Sequence, residues 1–301
     1  MLNRLVAVSR PLVVVILAAI AIPCWAGTVV SREIDSTTLG RKWNINIYLP
    51  SGYESGNDKY SVLYLLHGNT HNHTSWATSG HIKETADALI AAGEVPATLI
   101  VMPDGGTTWY VDRKEPMESA ILRDLIPLIE KEYRVVADRS HRTIAGLSMG
   151  GYGTMRFALK YPEMFAAAGL LSPAIYDPAP PENSSARRAG VFGAPEFDPA
   201  VWQSLSYPAL WQAYRAKNLP VPMYIASGDD DVFHCELSAM QFYQLLRNND
   251  QPAELRIVDG GHNWPLWSTT VGDAMKYMFR FVGKNADGKP ADREGERRQS
   301  R

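Results

Sequence analysis

The fold turns on one stretch, Thr143-Ile144-Ala145-Gly146-Leu147-Ser148-Met149-Gly150-Gly151, followed by a helical run through Tyr161. An apolar strand gives way to a glycine-flanked serine and then at once to a helix. A serine held on so tight a strand-to-helix turn needs neighbours without a Cβ, because backbone on either side must approach closely. Gly146 and Gly150 meet that need, and the positive end of the following helix then faces negative charge developing beside Ser148. Alone the pattern is moderately specific, since G-x-S-x-G arises by chance in about one chain in ten of this length. The strand before it and the helix after it favour a nucleophile elbow over a bystander serine.

The flanking sequence repeats the same alternation. Short apolar runs at Val62 to Leu66, Thr98 to Met102, Ala167 to Leu171, Met223 to Ala226 and Leu255 to Val258 suit strands buried on both faces of a parallel sheet. Amphipathic stretches lie between them. Glu118 to Tyr133 sets Ile121, Leu125, Ile126 and Ile129 on one stripe, and Leu237 to Leu246 does the same with Met240 and Tyr243. Two alternating segments, Thr28 to Ile34 and Trp43 to Leu49, read as an antiparallel pair with a turn at Gly40. The expected architecture is α/β, a mostly parallel central sheet with helices on both faces and an N-terminal antiparallel strand pair. Pro178 to Ala189 reads as a polar, proline-rich surface insertion.

A serine hydroxyl is a weak nucleophile until a base takes its proton, and that base must be oriented by a third group. In this architecture the chain order should be serine, acid, histidine. Met223 to Ala226 runs into Ser227-Gly228-Asp229-Asp230-Asp231, and Leu255 to Val258 runs into Asp259-Gly260-Gly261-His262. Both loops follow the C-terminal ends of apolar strands, where open α/β sheets place their sites. His262 is therefore the expected base. On local grounds Asp230 and Asp231 are equal candidates for the acid, because only one of two successive loop side chains can face the imidazole. His234 would fall in the loop after the acids, and His141 reads as a surface residue. Leu66-His67-Gly68-Asn69 ends an early strand where the second oxyanion donor is expected, pairing the amides of Asn69 and Met149. His67 is then structural. His67, His71 and His73 lie close in sequence but have no carboxylate or thiolate nearby, so no metal is expected.

The remaining features bound the setting. The chain has 301 residues, 46% hydrophobic and 21% charged, the profile of one large globular domain. A formal net charge of −2 offers no basic surface for nucleic acid. Residues 1–26 combine Arg4 and Arg10, an apolar run from Leu12 to Ile22, and small residues near Ala26, the three parts of a secretory signal. Export is expected, to the periplasm or beyond, with no membrane span after cleavage; Cys235 is then the single cysteine and cannot form an internal disulfide. Residues 27–284 make the expected domain, and Asn285 to Arg301, nearly free of apolar residues, is expected to be disordered.

The chain resembles the esterase D-like family of α/β hydrolases, which includes feruloyl and acetyl-xylan esterases, S-formylglutathione hydrolase, siderophore esterases and the antigen 85 mycolyltransferases. The resemblance rests on Val62 to Gly68, Met102-Pro103-Asp104-Gly105-Gly106 with Trp109 to Asp112, Gly146 to Gly151, and Gly260-Gly261-His262-Asn263-Trp264 with Trp267. It implies the α/β-hydrolase fold, Ser148 as nucleophile, His262 as base and Asp231 as the acid, with oxyanion donors from Asn69 and Met149. It leans toward bacterial feruloyl-type esterases rather than the cytosolic glutathione-thioester hydrolases, whose elbow and histidine surroundings differ. The implied activity is hydrolysis of feruloyl, aryl or short-chain acyl esters, on small-molecule or carbohydrate-linked substrates, without a cofactor. A siderophore esterase or an acyltransferase of the antigen 85 type is the alternative, and Trp109 and Trp264 are expected at the substrate pocket.

Overall fold

A computed structural model of the chain describes residues 26–284. The proposed signal and the charged tail lie outside the described residues. Eight strands form one sheet in the order β1-β2-β4-β3-β5-β6-β7-β8: β1 (Thr28–Ser36), β2 (Arg41–Leu49), β3 (Ser61–Leu66), β4 (Thr98–Pro103), β5 (Arg142–Leu147), β6 (Ala167–Leu171), β7 (Met223–Gly228) and β8 (Ala253–Val258). β1 pairs antiparallel with β2, and β2 antiparallel with β4. Every later pairing is parallel. This is the α/β-hydrolase architecture.

The helices are α1 (Ser75–Thr78), α2 (Ile82–Ala91), α3 (Met117–Ala120), α4 (Ile126–Glu132), α5 (Met149–Lys160), α6 (Pro199–Leu205), α7 (Tyr207–Lys217), α8 (Cys235–Arg247) and α9 (Trp264–Phe279). One face of the sheet buries Leu63, Leu65, Ala145 and Leu147 against α1, α2 and α9. The other buries Val62, Tyr64, Leu66 and Ile144 against α3, α4, α5, α7 and α8. Successive strand residues point to opposite faces, so with both faces covered every position must be apolar. That is why these strands read as unbroken runs.

Three local readings need correction. β8 is an edge strand with every residue at least partly exposed, and its Ile257 is open to solvent, so it is not buried on both faces. α8 turns inward Cys235, Ser238, Ala239, Phe242 and Leu246, while Leu237 and Met240 face out. Small residues let α8 lie close on β7 and β8, and that spacing outweighs the bulk of Leu237 and Met240. The insertion at 178–189 is more than surface: Ser184 and Ala186 are buried, and a 3₁₀ turn at Ser185–Arg188 walls the cleft described below. The expected helix from Glu118 is continuous but carries one π-helical segment, Ile121–Leu125, between α3 and α4. Pro127 lies just beyond it and cannot donate to the helical ladder, which accounts for the irregularity there.

Candidate active site

Four chain segments meet at the C-terminal ends of the parallel strands. Ser148 follows β5 and precedes α5, with φ 53° and ψ −114°. That is a sparsely populated conformation for a non-glycine residue, and it costs roughly 1–3 kcal/mol. Backbone bonds hold it in place: Ser148 N–H donates to Leu171 O (2.9 Å), and Ser148 O accepts from the amides of Tyr152 (3.0 Å) and Ala174 (3.2 Å). At Gly150, two residues on, an added Cβ would lie 2.5 Å from Leu66 O and 2.7 Å from His67 O. The elbow therefore packs directly on the end of β3.

His262, between β8 and α9, reaches Ser148 Oγ with Nε2 (2.9 Å) and Asp231 Oδ2 with Nδ1 (2.7 Å). A carboxylate can only accept, so Nδ1 carries the proton, and Nε2 is left with a lone pair toward the serine hydroxyl. The other oxygen of Asp231 accepts the Phe233 amide at 2.9 Å. Asp231 is buried, whereas Asp229 and Asp230 are exposed, so of the three consecutive aspartates only Asp231 meets the imidazole. Phe233 and Trp267 stand edge-on to the His262 ring at 4.8 and 5.0 Å, and Trp267 Nε1 is tied to Ser172 Oγ at 3.1 Å. These rings fix the plane of the imidazole. His234 caps the start of α8 beside Glu236 and takes no part.

Beside Ser148 runs the loop after β3. His67 is buried; its Nδ1 bonds Gly68 O (2.8 Å) and its Nε2 accepts the Gly105 amide (2.8 Å). A carbonyl can only accept and an amide can only donate, so His67 is the neutral Nδ1–H tautomer and serves as a strut. Tyr110 Oη donates to His67 O (3.0 Å) and Trp76 Nε1 to Leu66 O (3.0 Å), which fastens the same loop from below. Asn69 follows on the cleft wall. Met149 opens α5, so its N–H has no helical carbonyl to pair with. His71 rests on Trp264 (4.9 Å), and burial with the neighbouring imidazoles lowers its pKa. His73 Nδ1 lies 3.5 Å from Asp104.

The cleft over Ser148 has a volume of about 300 Å³ and is walled by Asn69, His71, Asn183, Arg188, Phe233 and Trp267 among others. Trp109, expected there, is packed instead among Tyr152, Phe192 and Trp202 and is shut off from solvent. Large aromatics go where the core can surround them, and this one follows Gly105 and Gly106 into the interior. Trp264 is half-buried behind His71 rather than on the cleft wall. Asn183 and Arg188 were not foreseen, because nothing in the pattern of the insertion marks which polar residues turn inward.

The model of the Esterase family matches residues 36–278, a span that includes every segment of this site. The chain belongs to the Esterase family. Among curated relatives of this esterase, an endo-1,4-beta-xylanase/feruloyl esterase of Xylanibacter ruminicola is 38% identical over 48% of the chain and 21% of its own length. The chain thus spans about a fifth of that relative. An acetyl esterase of Caldicellulosiruptor saccharolyticus is 26% identical over 74% of the chain and 85% of its own length. Among solved structures, a ferulic acid esterase superposes with a TM-score of 0.72 at 29% identity, over 85% of this chain and 98% of that one. An S-formylglutathione hydrolase from Agrobacterium tumefaciens shares the fold at TM-score 0.69 and 23% identity, over 86% and 97% of the two chains. Residues 36–278 make a carboxylic ester hydrolase domain.

Proposed function

We propose that this esterase works through an acyl-enzyme on Ser148, with His262 as general base and Asp231 as the residue that orients it. The observation that carries the reading is the unbroken line from Asp231 Oδ2 through the imidazole to Ser148 Oγ. As Oγ attacks the ester carbonyl, its proton passes to His262 Nε2. The amides of Asn69 and Met149 stabilise the oxyanion, each such donor lowering the barrier by about 3 kcal/mol. The imidazolium then protonates the leaving alcohol, the C–O bond breaks, and water repeats the sequence to release the acid and free Ser148. A feruloyl or other aryl acid, or a short acid such as acetate, is the proposed acyl group. The names of the relatives support it, and the cleft is open enough for either. Ser148→Ala should cut turnover of nitrophenyl acetate by on the order of 10⁴-fold and abolish labelling by a fluorophosphonate. Wild-type turnover by the folded variant would refute the mechanism.

We also infer export from the pattern of residues 1–26, with the esterase domain running from 27 to 284. Among the described residues no helix is long and apolar enough to cross a membrane. The mature N-terminus, read by intact mass, should fall at or near Gly27.

A further inference from the structure

Three imidazoles lie close together beside Ser148, and one of them has nothing to bond. His262 and His67 each engage both ring nitrogens. His71 lines the same cleft as Ser148, yet among the described residues neither of its ring nitrogens has a hydrogen-bond partner, and Nδ1 is buried. Packing holds the ring instead. Thr70, at φ 65°, turns the chain after Asn69, and the His71 amide donates to Gly68 O (3.2 Å). The imidazole then rests on Trp264 (4.9 Å) and stands edge-on to Trp267 (6.1 Å), the indole that His262 also meets, at 5.0 Å. A side chain at Gly68 would begin 3.3 Å from His71 Nδ1 and 3.4 Å from Ser148 Cβ. Because residue 68 is glycine, the imidazole and the nucleophile border the same open space. Burial, and then the charge of the neighbouring imidazoles, lower the pKa of His71, so at pH 7 the ring is neutral and offers one N–H and one lone pair. Packing on two indoles needs neither nitrogen, and a phenyl ring would fill the place without leaving polar atoms unpaired.

The geometry points to His71 as a specificity-determining residue that hydrogen-bonds an oxygen of the bound ester outside the ester group itself. The inference rests on the esterase reading of Ser148 and adds the chemical class of the substrate: esters that carry a hydroxyl or ether oxygen near the scissile bond, rather than plain hydrocarbon there. A hydroxyl can meet either ring nitrogen, and an ether oxygen can meet only the N–H. A substrate that lacks the oxygen leaves the imidazole unpaired in a closed cleft, and that is how a polar site discriminates against it.

The test compares three esters in the unsubstituted protein and in His71→Phe, which keeps a ring on Trp264 and Trp267 but removes both nitrogens. Methyl cinnamate has no oxygen beyond the ester, methyl ferulate adds hydroxyl and methoxy oxygens on the acid, and glyceryl cinnamate adds hydroxyls on the alcohol. The ratio of kcat/KM for one oxygen-bearing ester over methyl cinnamate should fall about tenfold in His71→Phe, chiefly through KM, because the contact is made in the bound substrate as well as in the transition state. The ester that responds identifies which half of the substrate meets the ring. His71→Asn or His71→Gln, whose amides reach toward the places of Nδ1 and Nε2, should restore most of that ratio in one of the two proteins. Circular dichroism checks folding, and His71→Leu replaces the phenylalanine variant if that one does not fold. Both ratios unchanged within about twofold, or a loss confined to kcat and equal for all three esters, would overturn the inference, the second because the ring would then act through His262. Fluorophosphonate labelling of the unsubstituted protein is run beside it. Failure of labelling sinks the serine mechanism, whereas labelling without a ratio that His71 controls sinks only this contact.

Discussion

Cys235 Sγ lies 3.9 Å from Nδ1 of His262, behind the bond that the imidazole makes with Asp231, and 3.4 Å from Tyr176 Oη. A cysteine this near a histidine and an acid could pass for a nucleophile or a metal ligand, both of which require the thiolate. Its surroundings oppose ionisation. Burial, and then the charge of Asp231, push the thiol well above its ordinary pKa. The sulfur therefore packs against the site as a neutral group and leaves the proton on Nδ1 to Asp231.

This predicts that Cys235 resists thiol reagents in the folded protein. The peptide that carries it should be unmodified after iodoacetamide at pH 8 and fully alkylated after the same treatment in guanidinium. Alkylation under native conditions would show an accessible thiolate and reverse the argument.

Asp230→Asn and Asp231→Asn separate the neighbouring acids. Asp231 is buried on the imidazole, so its amide should cost on the order of 10³- to 10⁴-fold in kcat, because an amide can turn the imidazole into the wrong tautomer. Asp230 is exposed, and its amide should change kcat by less than about twofold. Steady-state rates on one nitrophenyl ester decide it, and equal losses would move the orienting role away from Asp231.

The elbow and the order of Ser148, Asp231 and His262 were legible because each follows an apolar strand whose period and length are fixed by burial on both faces. The choice between Asp230 and Asp231 was not legible from the residues, since it depends on which way a loop turns after Gly228. The tight approach of that loop to Gly260 O fixes the turn, and this is a contact between residues 32 positions apart. The inward stripe of α8 was misread for a related reason. Hydrophobicity marks Leu237 and Met240, but the distance from helix to sheet selects Ser238 and Ala239. Arg188 and Asn183 belong to a segment with no period at all, so only the folded chain shows which of its polar residues reach the cleft.

Stability should depend on Glu118, which helical spacing places on the same face as Ile121 and Leu125. It is buried in α3 and bonded to Arg156 (2.7 Å), Tyr161 Oη (2.6 Å) and Lys160. Burial alone would raise its pKa, but Arg156 and the other donors outweigh burial and lower it. A depressed carboxylate contributes stability above its unfolded pKa and loses it as pH falls through the folded one. Glu118→Gln leaves the buried Arg156 unneutralised. It should destabilise the protein at pH 7 by about 3–5 kcal/mol, with a drop in melting temperature of roughly 10 °C. The difference between the two proteins should narrow below pH 4 in thermal melts, and a gap that widens on acidification would contradict the sign.

Two glycine substitutions test whether close approach at the elbow, rather than helix propensity, sets the sequence of α5. An added Cβ at Gly150 would sit 2.5 Å from Leu66 O and 2.7 Å from His67 O, and both are backbone atoms that no side-chain rotation can clear. Gly150→Ala must push the first turn of α5 away from β3. That turn carries Ser148 and Met149, while the β3 end leads to Asn69, so the shift separates the serine and one oxyanion donor from the other. A displacement near 1 Å costs about 10²-fold in rate. Overpacking should add a loss of about 1–3 kcal/mol in stability. Gly272 in α9 is the control, because there a Cβ would meet nothing closer than Thr85 Cγ2 at 3.4 Å, an ordinary contact. Gly272→Ala should gain up to about 1 kcal/mol from helix propensity and keep its turnover. Both variants are compared by urea midpoint and by kcat on nitrophenyl acetate. If Gly150→Ala matched the wild type in both, the elbow would not need the close approach of α5 to β3, and the glycine would be there for another reason.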